Sequence, residues 1–197
     1  MTRIVGGFAG SLALDVPRSG TRPTSDMVRE AIFSALVSRD LVEGARVLDL
    51  YSGSGALGLE AASRGAASVT LVDSSSAAAA VCRKNAAHIL KAAPVGRKVS
   101  IDVSSSPVQA YLVGARQFWD VVFLDPPYEL SNADVGVALD ALAPRLAPDA
   151  VVVLERAARS GAPDFPTSLI LDRRKDYGDT ALYWLSPSDP RVVSGGE

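Results

Sequence analysis

The sequence has almost no cysteine or histidine: Cys82 and His88 are the only residues of their types among 197. One cysteine excludes an intramolecular disulfide framework and every structural zinc site that needs several thiolates. No apolar run approaches the roughly 18 residues of a membrane helix, and the N-terminus lacks the pattern of a signal peptide. We therefore expect a cytoplasmic protein with no bound metal and no membrane contact.

The chain also lacks a strong excess of either charge. Its 20 basic and 22 acidic residues give a formal net charge of −2, unlike the strongly basic balance of many nucleic-acid binders. The first 29 residues nevertheless carry four arginines against two aspartates: Arg3, Arg18, Arg22 and Arg29. Arginine suits bidentate phosphate contacts, so this stretch is either a phosphate-binding patch or an ordinary solvated surface.

Composition and length favour one globular domain with short extensions. Hydrophobic residues make up 48% of the chain and charged residues 21%, which is typical of a folded domain. Residues 1–23 are rich in Gly, Pro, Ser and Arg, which predicts an arm of strand and loop. We expect the folded domain over residues 24–186 and a flexible tail over 187–197.

Helical and strand patterns alternate along most of the domain. A first helix is predicted from residue 24 or 25 to 38, where apolar residues fall on one helical face. Strands follow at 45–50, 68–72, 98–103, 118–124 and 150–154, and helices at 56–64, 75–91, 107–114 and 132–146. This alternation predicts an α/β fold, a parallel sheet with helices on both faces.

The last two predicted strands break this alternation. Residues 168–171 and 180–185 are strand-like, and the segment between them is too short for a crossover helix. A connection of that length is typical of an antiparallel hairpin. We therefore expect the sheet to end in such a hairpin.

A glycine-rich turn follows the strand at 45–50 and precedes a helix. Gly53 and Gly55 allow a tight turn against which a ligand can lie, and the start of the helix offers free amide donors. Asp73 ends the next strand, in the position that reaches the hydroxyls of a bound ribose. The pattern predicts a nucleotide-like cofactor at the carboxyl edge of the sheet.

Two cofactors fit the glycine pattern. Gly53, Gly55 and Gly58 match the dinucleotide fingerprint, which leaves a nicotinamide-dependent oxidoreductase as one hypothesis. A carboxylate at Asp49 is unfavourable beside a pyrophosphate but favourable beside the ammonium and sulfonium groups of S-adenosylmethionine. We therefore expect S-adenosylmethionine, with the following candidate contacts: Asp49, Tyr51, Gly53, Gly55, Asp73 and, at the end of the third strand of the alternation, Ser105.

The most specific motif is Asp125-Pro126-Pro127-Tyr128, directly after the apolar strand at 118–124. The prolines fix their φ angles, so the turn is stiff. Asp125 and the Pro126 carbonyl can accept both hydrogens of an NH₂ group, and Tyr128 can stack on the planar ring that carries it. The motif resembles the [DN]-P-P-[YF] signature of amino methyltransferases, and Asp125, Pro126 and Tyr128 are the candidate catalytic residues.

The N-terminal arm narrows the resemblance from amino methyltransferases in general to one family. Arg3-Ile4-Val5-Gly6-Gly7 and the run 22–33 (RPTSDMVREAIF) resemble the opening of the bacterial RsmD family of 16S ribosomal RNA guanine-N2 methyltransferases. The resemblance continues through the run 49–61, Asp73, Asn85, Asp125–Tyr128 and Tyr177–Thr180, and so covers essentially the whole domain.

This resemblance implies both fold and function. It implies a Rossmann-like class I methyltransferase fold, a seven-strand, mostly parallel sheet with an antiparallel C-terminal hairpin. It implies transfer of a methyl group to the N2 amine of a guanine in 16S rRNA of the small ribosomal subunit, by a protein expected to be a monomer. Arg22 and Thr24 are then expected near the methionine end of the cofactor, and Arg3, Arg18 and Arg29 are candidate RNA contacts.

Two alternatives remain open. The same chemistry could act on another acceptor: adenine or cytosine in a nucleic acid, or a glutamine amide in a protein. The loop 8–15 has no cation, where members of the family usually carry basic residues. That departure motivates a second alternative, a non-catalytic RNA-binding assembly factor that keeps the fold.

Overall fold

The computed structural model describes residues 2–17 and 25–188. The strands are β1 (Thr2–Arg3), β2 (Ala13–Leu14), β3 (Arg46–Leu50), β4 (Ser68–Asp73), β5 (Ser100–Ser105), β6 (Trp119–Leu124), β7 (Leu146–Ala157), β8 (Leu169–Tyr177) and β9 (Thr180–Pro187). The α-helices are α1 (Asp26–Val37), α2 (Ala56–Ser63), α3 (Ser76–Ala92), α4 (Val108–Gly114) and α5 (Asn132–Leu142).

Seven strands form one sheet in the order β5-β4-β3-β6-β7-β9-β8. The pairs from β5 to β7 are parallel, and β9 runs antiparallel to both β7 and β8. The direction of strand succession reverses between β3 and β6, which creates a switch point where ligands bind in open sheets of this kind. The predicted mixed sheet with its C-terminal hairpin is confirmed.

Helices cover both faces of this sheet. One apolar core contains residues of α1, α2 and α3 and includes Val47 of β3 and Phe123 of β6. The other contains residues of α4 and α5 and includes Leu48 and Val122 of the same strands. Because successive strand residues point to opposite faces, the central strands are largely apolar on both sides, which explains their mostly hydrophobic sequences.

Several predicted boundaries differ from the observed ones. The predicted helix 132–146 ends at Leu142 and is followed by a 3₁₀ turn over Ala143–Arg145, because Pro144 cannot donate to a continuing α-helix. β7 is longer than the predicted strand 150–154. The predicted hairpin loop after residue 171 is mostly strand, because the charged residues 172–176 continue along the exposed edge strand β8.

The N-terminal arm is a two-stranded hairpin fastened to α2. The carboxylate of Glu60 accepts hydrogen bonds from the backbone N–H groups of Val5 (2.6 Å) and Gly6 (2.8 Å). Ser63 accepts from the backbone N–H of Ala9 and donates to the carbonyl of Gly6. The arm covers the side of α2 that faces away from the sheet, and every residue of α2 is therefore buried.

Some expectations concern residues outside the described part of the chain. Arg18, Arg22 and Thr24 fall in this category, as does the tail from residue 189 onward. Over residues 2–17 and 25–188, no helix is long and apolar enough to cross a membrane.

Candidate active site

The candidate site lies along the carboxyl edge of the parallel strands. β3 leads into the glycine turn, β4 ends at Asp73, β5 ends at Ser105, and β6 leads into Asp125. Leu50 pairs with Leu124 and Asp73 pairs with Ser105, so the ends of these strands lie side by side. The topology therefore brings the cofactor candidates and the candidate catalytic motif to one edge.

Asp49 lies beneath the glycine turn and is almost completely buried. Its Oδ2 accepts a 2.8 Å hydrogen bond from the backbone N–H of Gly58, in the first turn of α2. The pKa of Asp49 is raised to about 7: burial is the main cause, the bond from Gly58 opposes the rise, and the nearby carboxylate of Asp73 adds to it. A buried carboxylate of this kind is a favourable neighbour for a cationic ligand.

The turn above Asp49 requires backbone conformations that glycine adopts easily. Gly53 and Gly55 have φ angles of +54° and +79°, and Tyr51 also has a positive φ, of +60°. A Cβ on Gly55 would lie 2.9 Å from a methyl carbon of Leu71. Both glycines therefore suit the turn, and Gly55 is also needed for its close packing on the sheet.

Asp73 connects the turn to the start of α3. Its Oδ2 accepts from the backbone N–H of Gly53 at 2.9 Å, and its Oδ1 accepts from the backbone N–H of Ser75 at 2.8 Å. Each carboxylate oxygen can accept more than one hydrogen bond. Asp73 thus fixes the turn while its oxygens keep acceptor capacity for a further hydrogen-bond donor.

The side chain of Asn85 joins the glycine turn to the arm. Its amide nitrogen donates to the carbonyls of Ser54 and Asp15, both at 2.9 Å, and its Oδ1 accepts from the backbone N–H of Asp15 at 2.9 Å. The residue is fully buried. The position of the arm is therefore coupled directly to the shape of the turn.

Cys82 lies under the same turn but has no nucleophilic character. Its thiol donates to the carbonyl of Gly53 at 3.3 Å and lies 3.5 Å from the hydroxyl of Ser52. Burial raises its pKa to about 12, so the thiolate is not formed near neutral pH. Cys82 packs the turn.

The Asp125–Tyr128 motif forms the loop that leaves β6. The backbone N–H of Asp125 lies 3.5 Å from the carbonyl of Leu50, which ties the start of the loop to β3. Pro126 is buried, and Tyr128 is 44% exposed. The aromatic side chain of Tyr128 therefore lies at the surface beside the loop.

Arg156, near the end of β7, binds this loop through hydrogen bonds. It was not among the predicted site residues. Its guanidinium donates to the carbonyls of Pro127 (3.4 Å) and Leu130 (2.7 Å) and to Oδ1 of Asn132 (3.2 Å). Burial lowers its pKa. Glu155 and Arg156, two charged residues that follow the apolar run 150–154 within one strand, were the available sequence signal, because a buried charge needs dedicated partners.

The two described candidate RNA contacts in the arm region differ in exposure. The Arg3 side chain is 59% exposed, and its Nε lies 3.5 Å from the carboxylate of Asp26. Arg29 is fully buried, donates to the carbonyl of Arg3 at 2.8 Å and pairs with Asp26. The expectation that Arg29 contacts RNA does not agree with this burial, since its guanidinium points to the arm and not to solvent.

The structure thus brings most predicted residues together. Asp49, the glycine turn, Asp73, Ser105 and the Asp125–Tyr128 loop share one edge of the sheet. Glu60 and Asn85 position the arm, and both were missed as functional residues. Each is a polar residue at a helical position whose neighbours are buried. The contrast between the polar residue and its neighbours was the available signal.

Comparisons with known proteins agree with this architecture. A family model described as "Conserved hypothetical protein 95" matches residues 2–186. Ribosomal RNA small subunit methyltransferase D of Escherichia coli K12 is 36% identical over 180 residues, which cover 91% of this chain and 86% of that protein. The protein of the same name from Haemophilus influenzae is 32% identical over 157 residues, covering 78% of this chain and 77% of that protein.

Solved structures show the same fold. The structure of the yhhF protein of Escherichia coli is 31% identical, with a TM-score of 0.78 over 95% of this chain and 98% of that chain. A hypothetical protein of Thermus thermophilus is 30% identical, with a TM-score of 0.77 over 95% of this chain and 100% of that chain. The similarity therefore extends over the arm, the sheet and the terminal hairpin together.

Proposed function

The chain belongs to the RsmD family, whose model matches residues 2–186, and on that premise we propose that it is an S-adenosylmethionine-dependent ribosomal RNA methyltransferase. Its acceptor is the exocyclic N2 amine of a guanine in the 16S rRNA of the small ribosomal subunit. The names of the relatives from two bacteria support the small-subunit part of this proposal. The protein acts as a monomer in the cytoplasm.

The observation that carries the proposal is the juxtaposition of the glycine turn and the Asp125–Tyr128 loop. Leu50 and Leu124 are register partners, and the two loops leave the sheet directly after them. A methyl donor held on the first loop therefore lies beside an amine held by the second. In-line transfer needs this proximity, which can account for a large part of a rate enhancement.

The residues present fit S-adenosylmethionine. The buried carboxylate of Asp49 has a raised pKa, so a nearby cationic ligand would favour its charged form. The glycine turn allows close approach of a ligand to the backbone, and Asp73 can accept from ribose hydroxyls. Ser105 lies on the neighbouring strand end, on the adenine side, and Arg22 and Thr24 belong in this proposal at the methionine end.

The cofactor, when bound, supplies an electrophilic methyl group on a sulfonium, which needs no metal to activate it. Asp125 and the carbonyl of Pro126 each accept a hydrogen bond from the acceptor amine. These two bonds favour a tetrahedral nitrogen and direct its lone pair along the line of transfer. Tyr128 stacks on the base and holds it out of its helix.

Proton balance assigns a second role to Asp125. Transfer of the methyl group from a bound cofactor would form a C–N bond as the C–S bond broke, and would leave the amine nitrogen positively charged and acidic. Asp125 already accepts one of its N–H groups, so its carboxylate can take the proton or pass it to water. A strong base is unnecessary, because the charged product loses its proton readily.

A methyl-transfer assay with labelled S-adenosylmethionine tests the proposal. The acceptors are small subunits that lack the modification, their naked rRNA and DNA, and the labelled nucleoside is identified. We expect label in N2-methylguanine from small subunits. Asp125→Ala should abolish transfer while cofactor binding persists, and Asp140→Ala, an exposed acid on α5, is the control.

Other outcomes distinguish the alternatives. Label in methyladenine, methylcytosine or a protein would support methyl transfer to an amine but would contradict the proposal that the acceptor is guanine in 16S rRNA. Cofactor binding without transfer to any acceptor would contradict the proposal. It would favour the assembly factor if an Asp125→Ala variant still bound small subunits.

A further inference from the structure

A cleft beside Tyr128 is not explained by the functions assigned so far. It has a volume of about 200 Å³ and is lined by Tyr128, Ala157, Arg159 and Asp179. Ligand pockets usually measure about 300–1,000 Å³, so this cleft suits part of a ligand, such as one planar base. Tyr128 is the residue that the proposed function assigns to stacking on the acceptor base.

The place of the cleft in the sheet also points to the acceptor. Asp49 and Asp73, on β3 and β4, define the cofactor side of the carboxyl edge. The Asp125–Tyr128 loop follows on β6, and the end of β7 and the start of β9 come next in the sheet order. The cleft therefore lies on the side of the Asp125–Tyr128 loop opposite to the cofactor candidates, where the acceptor must approach.

The walls of the cleft are held in fixed relation to each other. Arg156 binds the carbonyl of Pro127, next to Tyr128. Two residues later, the backbone N–H of Ala158 donates to the carbonyl of Asp179 at 2.8 Å. The end of β7 thus supports both the loop that carries Tyr128 and the hairpin turn that carries Asp179.

The two charged residues of the cleft are available for a ligand. Arg159 and Asp179 are exposed, and neither takes part in an ion pair within residues 2–17 and 25–188. Their opposite charges provide one strong donor group and one strong acceptor group at the rim of a single cleft.

We propose that Arg159 and Asp179 read the Watson–Crick edge of the acceptor guanine. This inference rests on the proposed function. Guanine presents N2, N1–H and O6 in sequence along that edge. With N2 held by Asp125 and Pro126, N1–H donates to the carboxylate of Asp179 and O6 accepts from the guanidinium of Arg159.

The same arrangement rejects the other amino bases. Adenine presents a lone pair at N1 next to its amine, and cytosine presents one at N3. A lone pair facing the carboxylate of Asp179 is repelled, and such unfavourable pairing is an effective source of specificity. The pair of residues therefore selects guanine, while the Asp125–Tyr128 loop accepts any planar amine.

The experiment compares guanine with 2-aminopurine at the target position of reconstituted small subunits. 2-Aminopurine keeps the N2 amine, but its N1 is an acceptor and it has no O6. The wild-type protein should prefer guanine strongly in kcat/KM. In Asp179→Asn, we expect the guanine rate to fall about tenfold to hundredfold, while the 2-aminopurine rate rises, since the new amide can donate to N1.

Arg159→Ala should lower the guanine rate by a similar factor and leave 2-aminopurine unchanged. Asp149→Asn and Arg116→Ala are matched controls, because both residues are exposed and lie near the opposite edge of the sheet. Cofactor affinity, measured by calorimetry, should be equal in all five proteins, wild type included.

Each result separates this inference from the proposed function. If the wild-type protein methylates guanine and the variants keep its preference for guanine, Arg159 and Asp179 do not recognise the base. The proposed methyltransferase function then still stands. If Arg159→Ala slows both acceptors equally and reduces the salt dependence, Arg159 binds a phosphate instead, which also overturns the role. If the wild-type protein methylates no RNA, the proposed function itself fails.

Discussion

Oδ2 of Asp49 accepts a 2.8 Å hydrogen bond from the backbone N–H of Gly58. This single bond connects the strand before the glycine turn to the helix after it. It satisfies only part of the acceptor capacity of a carboxylate that is almost fully buried. The loss of contact with water, which this one bond does not offset, raises the pKa of Asp49 to about 7.

The raised pKa of Asp49 makes stability depend on pH. The unfolded carboxyl has an ordinary pKa of 3.8, so the folded state favours the protonated form. The free energy of unfolding should therefore decrease as pH rises from about 4 to about 7, and change no further above that from this group. Three pKa units correspond to about 4 kcal/mol.

Asp49→Asn should remove this slope. In the absence of cofactor, urea unfolding at pH 5 and pH 8 should show that the variant gains stability relative to the wild type as pH rises. S-adenosylmethionine should bind the variant more weakly, with the larger deficit at pH 8, where the wild-type carboxylate is charged. Parallel pH slopes in the two proteins would contradict the assignment.

Gly7 should tolerate no side chain. Its φ is +76°, and a Cβ would lie 2.0 Å from the carbonyl oxygen of Ser63. Gly44 has nearly the same φ, +74°, but open space around it, so it is the matched control. Gly44→Ala should reduce the free energy of unfolding by about 1–2 kcal/mol, and Gly7→Ala by about 1–3 kcal/mol more.

Urea unfolding of both glycine variants gives this difference directly. Gly7→Ala should also weaken cofactor binding, because the arm contacts the glycine turn through Asn85. Equal destabilisation by the two substitutions would mean that the arm does not pack on α2 as described.

Much of this architecture could be predicted from the sequence, because the signals are local. Hydrophobic strands, the glycine turn and the Asp125–Tyr128 motif each lie within about ten residues, and the parallel topology places their ends together. The prediction was wrong where side chains act over long distances. Arg29 was predicted to contact RNA, but it is buried and its partner, the carbonyl of Arg3, lies 26 residues away in sequence.

Arg156 shows the same limit at the site itself. Its partners, the carbonyls of Pro127 and Leu130, lie 29 and 26 residues away in sequence, and no local pattern identifies them. The charged residues of β8 were assigned to a loop for a related reason: an edge strand is exposed on most sides and has no need of an alternating apolar pattern.

Arg156→Lys should reduce catalysis without affecting the cofactor. Lysine keeps the charge but not the planar fork that contacts several acceptors, so the Asp125–Tyr128 loop loses its fixed position. Because small misplacements of reacting groups can lower rates by about a hundredfold, we expect kcat to fall about tenfold to hundredfold. The affinity for S-adenosylmethionine should stay unchanged in calorimetry.

Arg46→Lys is the control for this substitution. Arg46 forms an exposed two-bond pair with Asp120 at the start of β3, at the amino end of the strand. Its replacement should leave kcat unaltered. A loss of cofactor affinity in Arg156→Lys as large as the loss of kcat would show that Arg156 supports the whole edge and not the loop alone.

Asn85→Ala tests whether the arm and the glycine turn are coupled. The substitution leaves the N–H and carbonyl of Asp15 and the carbonyl of Ser54 without their side-chain partner. Ser54 is buried whereas Asp15 is exposed. Because an unsatisfied buried group costs about 1–3 kcal/mol, we expect a loss of about 1–3 kcal/mol in the free energy of unfolding. Cofactor affinity should decrease as well, since Ser54 lies between the two glycines of the turn.

Lys84→Ala isolates the neighbouring ion pair. The ammonium of Lys84 lies 2.7 Å from the carboxylate of Asp15, and both side chains are largely exposed. Exposed pairs contribute little, so this variant should unfold and bind S-adenosylmethionine like the wild type. If Asn85→Ala lost stability but bound the cofactor normally, Asn85 would serve only to attach the arm, and the turn would keep its shape without it.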